Sequence, residues 1–188
     1  MTKDRKEIKP YTLSVFSENT VGILNLITIV FTRRSINVES ISASTTVIPG
    51  IYKTTVLAYS DRETMEKAVA QIEKAISVVK AYLFTEDEII HQEVALYKVP
   101  TCRLIGEENL EKIIREYNAR ILEITEDYTV LEKTGHTDET EALFNELKKY
   151  DIRQFVRSGR VCVTKDRVEH VTEYLRMRDE EKYKNSIN

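Results

Sequence analysis

The sequence predicts an α+β protein built from two consecutive ferredoxin-like βαββαβ sandwiches and a C-terminal helical tail. Three observations carry this. Apolar residues switch between a period of two and a helical period in the order strand, helix, strand, strand, helix, strand. The same order then repeats, and turn signals at Pro49-Gly50 and Gly135 fall at joints between elements. The predicted boundaries are 10–85 for the first unit, 90–164 for the second and 165–188 for the tail.

Residues 11–16 read as a strand because Tyr11, Leu13 and Val15 share one face. A polar loop at 17–20 leads into a helix over 21–34, where Ile23, Leu24, Ile27, Val30 and Phe31 recur at helical spacing and Asn19 or Thr20 could cap the first turn. Residues 36–47 are rich in β-branched side chains. Their apolar phase moves from Ile36 and Val38 to Ile41, Ala43 and Val47, which predicts a bulge near Glu39 and Ser40. Beyond Pro49-Gly50, residues 51–59 complete an antiparallel hairpin. Asp61 starts a helix whose inner stripe is Met65, Ala68, Val69, Ile72, Ala75, Ile76 and Val79, and residues 78–84 return to strand.

In the second half, residues 93–99 alternate as a strand, and Leu110, Ile113, Ile114 and Tyr117 mark a helix over 107–117. Residues 119–125 and 128–134 form a strand pair that Gly135 ends. Thr137 or Asp138, each with Glu141, signals the start of a helix with the inner stripe Leu143, Phe144, Leu147 and Tyr150. Residues 152–156 close the unit, with 161–163 as a continuation after Ser158-Gly159. In the charged tail, Val168, Val171, Leu175 and Met177 lie on one side of a predicted helix, which either packs on its own domain or docks on a partner.

Composition narrows the function. Among 188 residues, 28 basic and 31 acidic side chains leave a net charge of −3, which argues against non-specific nucleic-acid binding through clustered cations. The aromatic stacking pattern of an RNA-binding sheet is absent, and nothing reads as a DNA-recognition helix. No apolar stretch reaches membrane-spanning length and the polar start lacks a secretory signal, so the expected compartment is the cytoplasm. Cys102 and Cys162 read as ordinary thiols, and no metal site is indicated. Glu39, His91 and His136 are acid–base candidates for a rival enzyme reading, although no second group converges on any of them in sequence.

Two segments have binding chemistry. In Glu18-Asn19-Thr20-Val21-Gly22-Ile23-Leu24, Gly22 removes a side chain near a helix start, where backbone N–H groups and the helix dipole suit a carboxylate. In Asn37-Val38-Glu39-Ser40, the Asn37 amide both donates and accepts. Taken singly, Asn19 is more often a capping or turn residue, Gly22 a close-packing residue and Asn37 a turn residue than any of them is a ligand group.

Together, Glu18-Asn19-x-x-Gly22-x-Leu24, Arg34-x-x-Asn37-Val38-Glu39-Ser40 and Pro49-Gly50 resemble the ACT domain of the acetolactate synthase (acetohydroxyacid synthase) small-subunit family. Glu132-x-Thr134-Gly135, Ala142-Leu143-Phe144 and Val156-Arg157-Ser158-Gly159-Arg160-Val161 extend the likeness into the second unit, over about residues 11–164. The resemblance implies a non-catalytic regulatory subunit of valine and isoleucine biosynthesis. Such a subunit would activate a separate catalytic large subunit and confer feedback inhibition by valine or a related branched-chain amino acid. It implies no cofactor in this chain, with thiamine diphosphate, Mg and FAD expected only on the catalytic partner. It also implies a homodimer through ACT domains, with Asn19, Gly22, Ile23 and Leu24 of one copy facing Asn37 and Val38 of the other across the effector. An amino-acid sensor controlling a different metabolic or transcriptional partner is the alternative. Two positions depart from the family pattern: Ser35 stands where glycine is usual, and Val47 and Ile48 occupy a hairpin tip where acidic or polar residues are common.

Overall fold

Strand–helix alternation in the first ninety residues produces β1 (Lys9–Glu18), α1 (Ile23–Thr32), β2 (Val38–Thr45), β3 (Ile51–Ser60), α2 (Arg62–Ile72) and β4 (Val78–Phe84). The structure is a computed structural model that describes residues 7–104, 109–167 and 169–187. The antiparallel sheet runs β2-β3-β1-β4, the predicted ferredoxin-like order. Tyr11, Leu13 and Val15 do share one face, where they join Ile27, Phe31, Val56, Met65 and Ile72 in the core. Burying a side chain the size of Leu13 or Phe31 contributes ~1.5–3 kcal/mol relative to exposure. Asp61 accepts the Thr64 N–H at 3.0 Å and so starts α2 as predicted. Ile76 leaves the expected stripe and is fully exposed, because α2 stops at Ile72 and the chain turns before β4.

The expected bulge is present: the β2–β3 register shifts between Val38 and Ser40, leaving Glu39 as the extra residue. The first helix differs from expectation at its cap. Neither Asn19 nor Thr20 fills that role; the N-cap is Gly22 at φ +89°, and no side chain bonds to it. The chain enters α1 through a left-handed turn that glycine adopts at no steric cost.

The second unit contains β5 (Ile89–Pro100), a single helical turn α3 (Thr101–Leu104) absent from the prediction, α4 (Asn109–Tyr117), β6 (Arg120–Ile124), β7 (Tyr128–Gly135), α5 (Thr137–Leu147) and β8 (Gln154–Arg157). Its strand order, β6-β7-β5-β8, repeats that of the first sheet. Residues 161–163 do not continue β8. They belong to a separate strand, β9 (Val161–Thr164), which pairs β5. The tail forms α6 (His170–Ile187). The predicted helix start at Glu107, the Leu110 side chain, Val168 and the first six residues of the leader lie outside the described residues.

The second unit's core gathers Ala95, Tyr97, Val99, Leu131, Leu143 and Leu147. The cap of α5 falls one residue earlier than predicted: His136 is extended and its N–H donates to Glu139 at 2.7 Å. Gly135 makes this possible, since a Cβ there would lie 2.6 Å from the Glu139 carboxylate.

By their contacts the described residues divide into two compact units, one holding those up to Ile90 together with those from Cys162 onward, the other His91–Val161. In the first, the sheet face opposite the helices is closed: Thr12, Ser14, Phe16, Thr55 and Leu57 are each at most 6% exposed. A four-stranded sandwich considered alone predicts this face to be open. Here the returning chain covers it, with Lys53 Nζ donating to the Cys162 carbonyl at 2.6 Å and the Tyr82 hydroxyl to the His170 carbonyl at 3.1 Å. In the second unit the corresponding face leaves Val94, Leu96 and Val156 exposed.

Candidate functional site

The loop after β1 is shaped by its own backbone. Glu18 N–H donates to the Ser77 carbonyl at 2.9 Å, which fixes the loop's root beside β4. Thr20 N–H then donates to Glu18 at 2.9 Å and Ile23 N–H to Thr20 at 3.3 Å, while the helix proper opens with Leu26 N–H to Gly22 at 2.9 Å. The first-turn amides of Leu24 and Asn25 precede that bond and have no intrahelical acceptor, the usual condition of a helix start. Val21 is fully exposed, Leu24 is 43% exposed and Asn19 and Gly22 lie at the surface. Ile23 is half-buried against the core, so its side chain anchors the loop.

Asn37 lies just before β2 and is exposed; Val38 is half-buried and packs on the core. Strand register separates this pair from the Gly22 loop. Val38 pairs with Ala58, and Ala58 with Tyr11, whereas the loop follows Glu18 at the other end of β1. Seven residues of strand at ~3.4 Å each put about 24 Å between the two ends. One chain therefore does not bring Asn37 and Gly22 together.

Ser35, the departure from the family's usual glycine, has φ +54°. The position requires the left-handed region, which explains why glycine suits it. At the hairpin tip Val47 is almost fully exposed and Gly50 takes φ +79°.

A feature missed in the sequence is the groove of about 530 Å³ beside Gly22 between α1 and α2, lined by Asn25, Ile29 and Arg33 on one side and Gln71 and Lys74 on the other. Its signal was there in principle, since Arg33 and Lys74 are cations at the ends of two apolar stripes. The acid–base candidates separate. Glu39 is exposed at the bulge, whereas the rings of His91 and His136 meet edge to face at 4.5 Å, a pairing that linear spacing did not suggest. Among the described residues no group of three or more His, Cys, Asp or Glu is arranged to hold a metal ion.

Buried polar side chains of the second unit are engaged in structure. Glu93 accepts from Thr140 at 2.6 Å and Thr137 at 3.2 Å and lies 3.4 Å from Arg157. Tyr97 donates to the Thr140 carbonyl at 2.7 Å, and burial pushes its hydroxyl pKa well above the ordinary value. The His136 N–H, helped by Lys133, holds the Glu139 carboxyl below its usual range.

Comparison with known proteins completes the picture. A family described as "AHAS small subunit-like ACT domain" matches residues 13–80, and one described as "Small subunit of acetolactate synthase" matches residues 92–166. The acetolactate synthase small subunit of Bacillus subtilis is 33% identical over 142 residues, covering 75% of this chain and 82% of that one. The chain belongs to the acetolactate synthase small-subunit family. A further member of the family, the probable small subunit of Archaeoglobus fulgidus, is 28% identical over 82% of this chain and 96% of its own length. The crystal structure of the small subunit from Thermotoga maritima shares the fold, with a TM-score of 0.75 at 22% identity over 85% of this chain and 99% of that one. Among the described residues no helix is long and apolar enough to cross a membrane.

Proposed function

We propose that this chain is the non-catalytic regulatory subunit of acetolactate synthase, activating a catalytic large subunit in branched-chain amino acid biosynthesis and conferring feedback inhibition by valine or a related amino acid. Thiamine diphosphate, Mg and FAD then belong to the catalytic partner. The observation that carries the effector reading is the ~24 Å between the two ends of β1: Gly22 and Asn37 can share a ligand only if a second copy supplies one of them.

In a homodimer through the ACT domains, Asn19, Gly22, Ile23 and Leu24 of one copy form the carboxylate side of the site. Asn37 and Val38 of the other bind the ammonium end and border the aliphatic tail. A zwitterion removed from water needs both charges paired, and its branched tail needs only a small apolar recess. Such a recess separates valine, leucine and isoleucine by only ~1–3 kcal/mol. A ligand held by two copies favours one arrangement of the dimer, and a catalytic partner that contacts the two arrangements differently feels a coupling of ~1–3 kcal/mol.

The test mixes the chain with a catalytic subunit and follows acetolactate formation from pyruvate. Activation without added amino acid, and its reversal by valine, are the expected results. Asn37→Ala should preserve activation and weaken the valine response about tenfold. An unchanged valine response in Asn37→Ala would refute the two-copy site, and no activation would refute the regulatory reading.

A further inference from the structure

The closed face of the first sheet contains a recess of about 110 Å³, partly sealed by the returning chain. Its floor is Ser14 and Phe16 on β1 and Tyr82 and Phe84 on β4, adjacent by register. The aromatic groups support one another: Phe16 meets Tyr82 edge to face at 6.0 Å, and the His170 ring lies over Tyr82 at 5.2 Å. Val163, Thr164 and Glu169 complete the roof. All of these residues belong to the first compact unit, and those on the strands lie on the sheet face opposite the helices.

Lys53 gives the recess its chemistry. Its half-buried ammonium donates to the Cys162 carbonyl at 2.6 Å, lies 3.9 Å from the Cys162 thiol and sits 5.9 Å from the Phe16 ring centroid. Among the described residues no carboxylate lies within ion-pair distance of it. A partly desolvated cation beside only neutral acceptors favours an anion in the adjoining space. The other charges at the rim are engaged: Glu169 accepts the Thr172 N–H at 2.7 Å and His170 Nε2 bonds Asp166 at 2.9 Å. Burial, then Glu169, pushes the Tyr82 hydroxyl up to about 12, so it remains a donor to the His170 carbonyl. Glu169 on the roof also opposes a second negative charge.

We propose that this recess is a second ligand site, taking a short-chain monocarboxylate with its carboxylate on Lys53 and Ser14 and its alkyl end on the aromatic floor. The size fits. An apolar cavity of ~150 Å³ holds the six ring atoms of benzene, so by proportion ~110 Å³ encloses about four or five non-hydrogen atoms, and because the recess is only partly sealed the remainder of a butyrate-sized molecule lies at its opening. Dianions are disfavoured by Glu169, and wholly polar anions by Phe16, Phe84 and Val163. The site is independent of the effector reading, because it uses the opposite sheet face.

The experiment titrates sodium butyrate, with succinate and inorganic phosphate as comparators, into the ¹⁵N-labelled full chain and follows amide shifts. Butyrate should give saturable shifts at Ser14, Lys53 and Thr164, with succinate and phosphate at least about tenfold weaker. Lys53→Met, which keeps the stem on Phe16, should lower butyrate affinity about tenfold or more, whereas the exposed-site control Lys67→Met should not. The proposal is overturned by the absence of saturable shifts at about 20 mM butyrate, by phosphate binding as well as butyrate, or by a folded Lys53→Met variant that binds unchanged. If Lys53→Met does not fold, the mapped shifts and anion preference of the unsubstituted chain decide the question alone.

Discussion

The two units share one strand order and leave α1 and α4, the equivalent helices, in the same way, but they fill the critical position differently. Ser35 follows α1 at φ +54°, and Asn118 follows α4 at φ +49°. Asparagine tolerates the left-handed region through local hydrogen bonding; serine has less of that advantage. The contrast extends inward. The first unit's core is apolar and its opposite sheet face is closed by the returning chain, whereas the second buries Glu93, Lys133 and Thr140 and leaves Val94, Leu96 and Val156 exposed. One topology thus serves two purposes. The first unit retains a glycine-shaped loop at its surface, and the second commits the buried Glu93, Lys133 and Thr140 to internal bonds.

The strongest test of this contrast is truncation of the two cores. Leu13→Ala and Leu143→Ala each remove a fully buried side chain and should cost ~2–5 kcal/mol in urea denaturation. Equal effects would mean that the polar interior of the second unit does not soften its apolar core. Next comes Thr140→Val, which keeps the volume but deprives Glu93 of its 2.6 Å donor. A loss of ~1–3 kcal/mol is expected by the same measurement, and a neutral result would show that Thr137 and Arg157 alone satisfy Glu93.

Ser35→Gly relieves left-handed strain and should stabilise by ~0.5–1 kcal/mol, the glycine's extra unfolded-state freedom taking back part of the gain. Asn118→Gly should change stability less. If the two substitutions act alike, the contrast between the helix exits is wrong.

The smallest effect is on acid stability. The Thr85 and His136 N–H groups hold the Glu88 and Glu139 carboxyls below the ordinary 4.5. A lowered folded value gives stabilisation that is present above pH ~4.5 and lost as the pH falls through the folded value. Glu139→Gln should flatten the acid limb of the stability–pH curve below about pH 4.5, with little further change at pH 7 beyond loss of the cap. An unchanged acid limb would remove Glu139 from this account.

Much of the fold was legible because local rules agreed. Period-two runs gave the strands, the phase slip near Glu39 gave the bulge, Asp61 gave the start of α2, and Pro49-Gly50 gave the hairpin. The family likeness was legible in the ordered motifs around Gly22, Asn37 and Gly135. The caps of α1 and α5 were misread by one or more residues, because backbone geometry at Gly22 and Gly135, not side-chain type, chose where each helix begins.

The sequence by itself determined the order of elements, both apolar cores and the residue types of the candidate site, since these depend on periodicity and turn chemistry within a few residues. Only the tertiary structure decided that Gly22 and Asn37 stand at opposite ends of one sheet, that His91 meets His136, and that Cys162 and His170 close the face carrying Lys53 and Tyr82. The physical reason is distance along the chain. Contacts such as Lys53 with Cys162 join residues 109 positions apart, and no local pattern encodes a partner that far away.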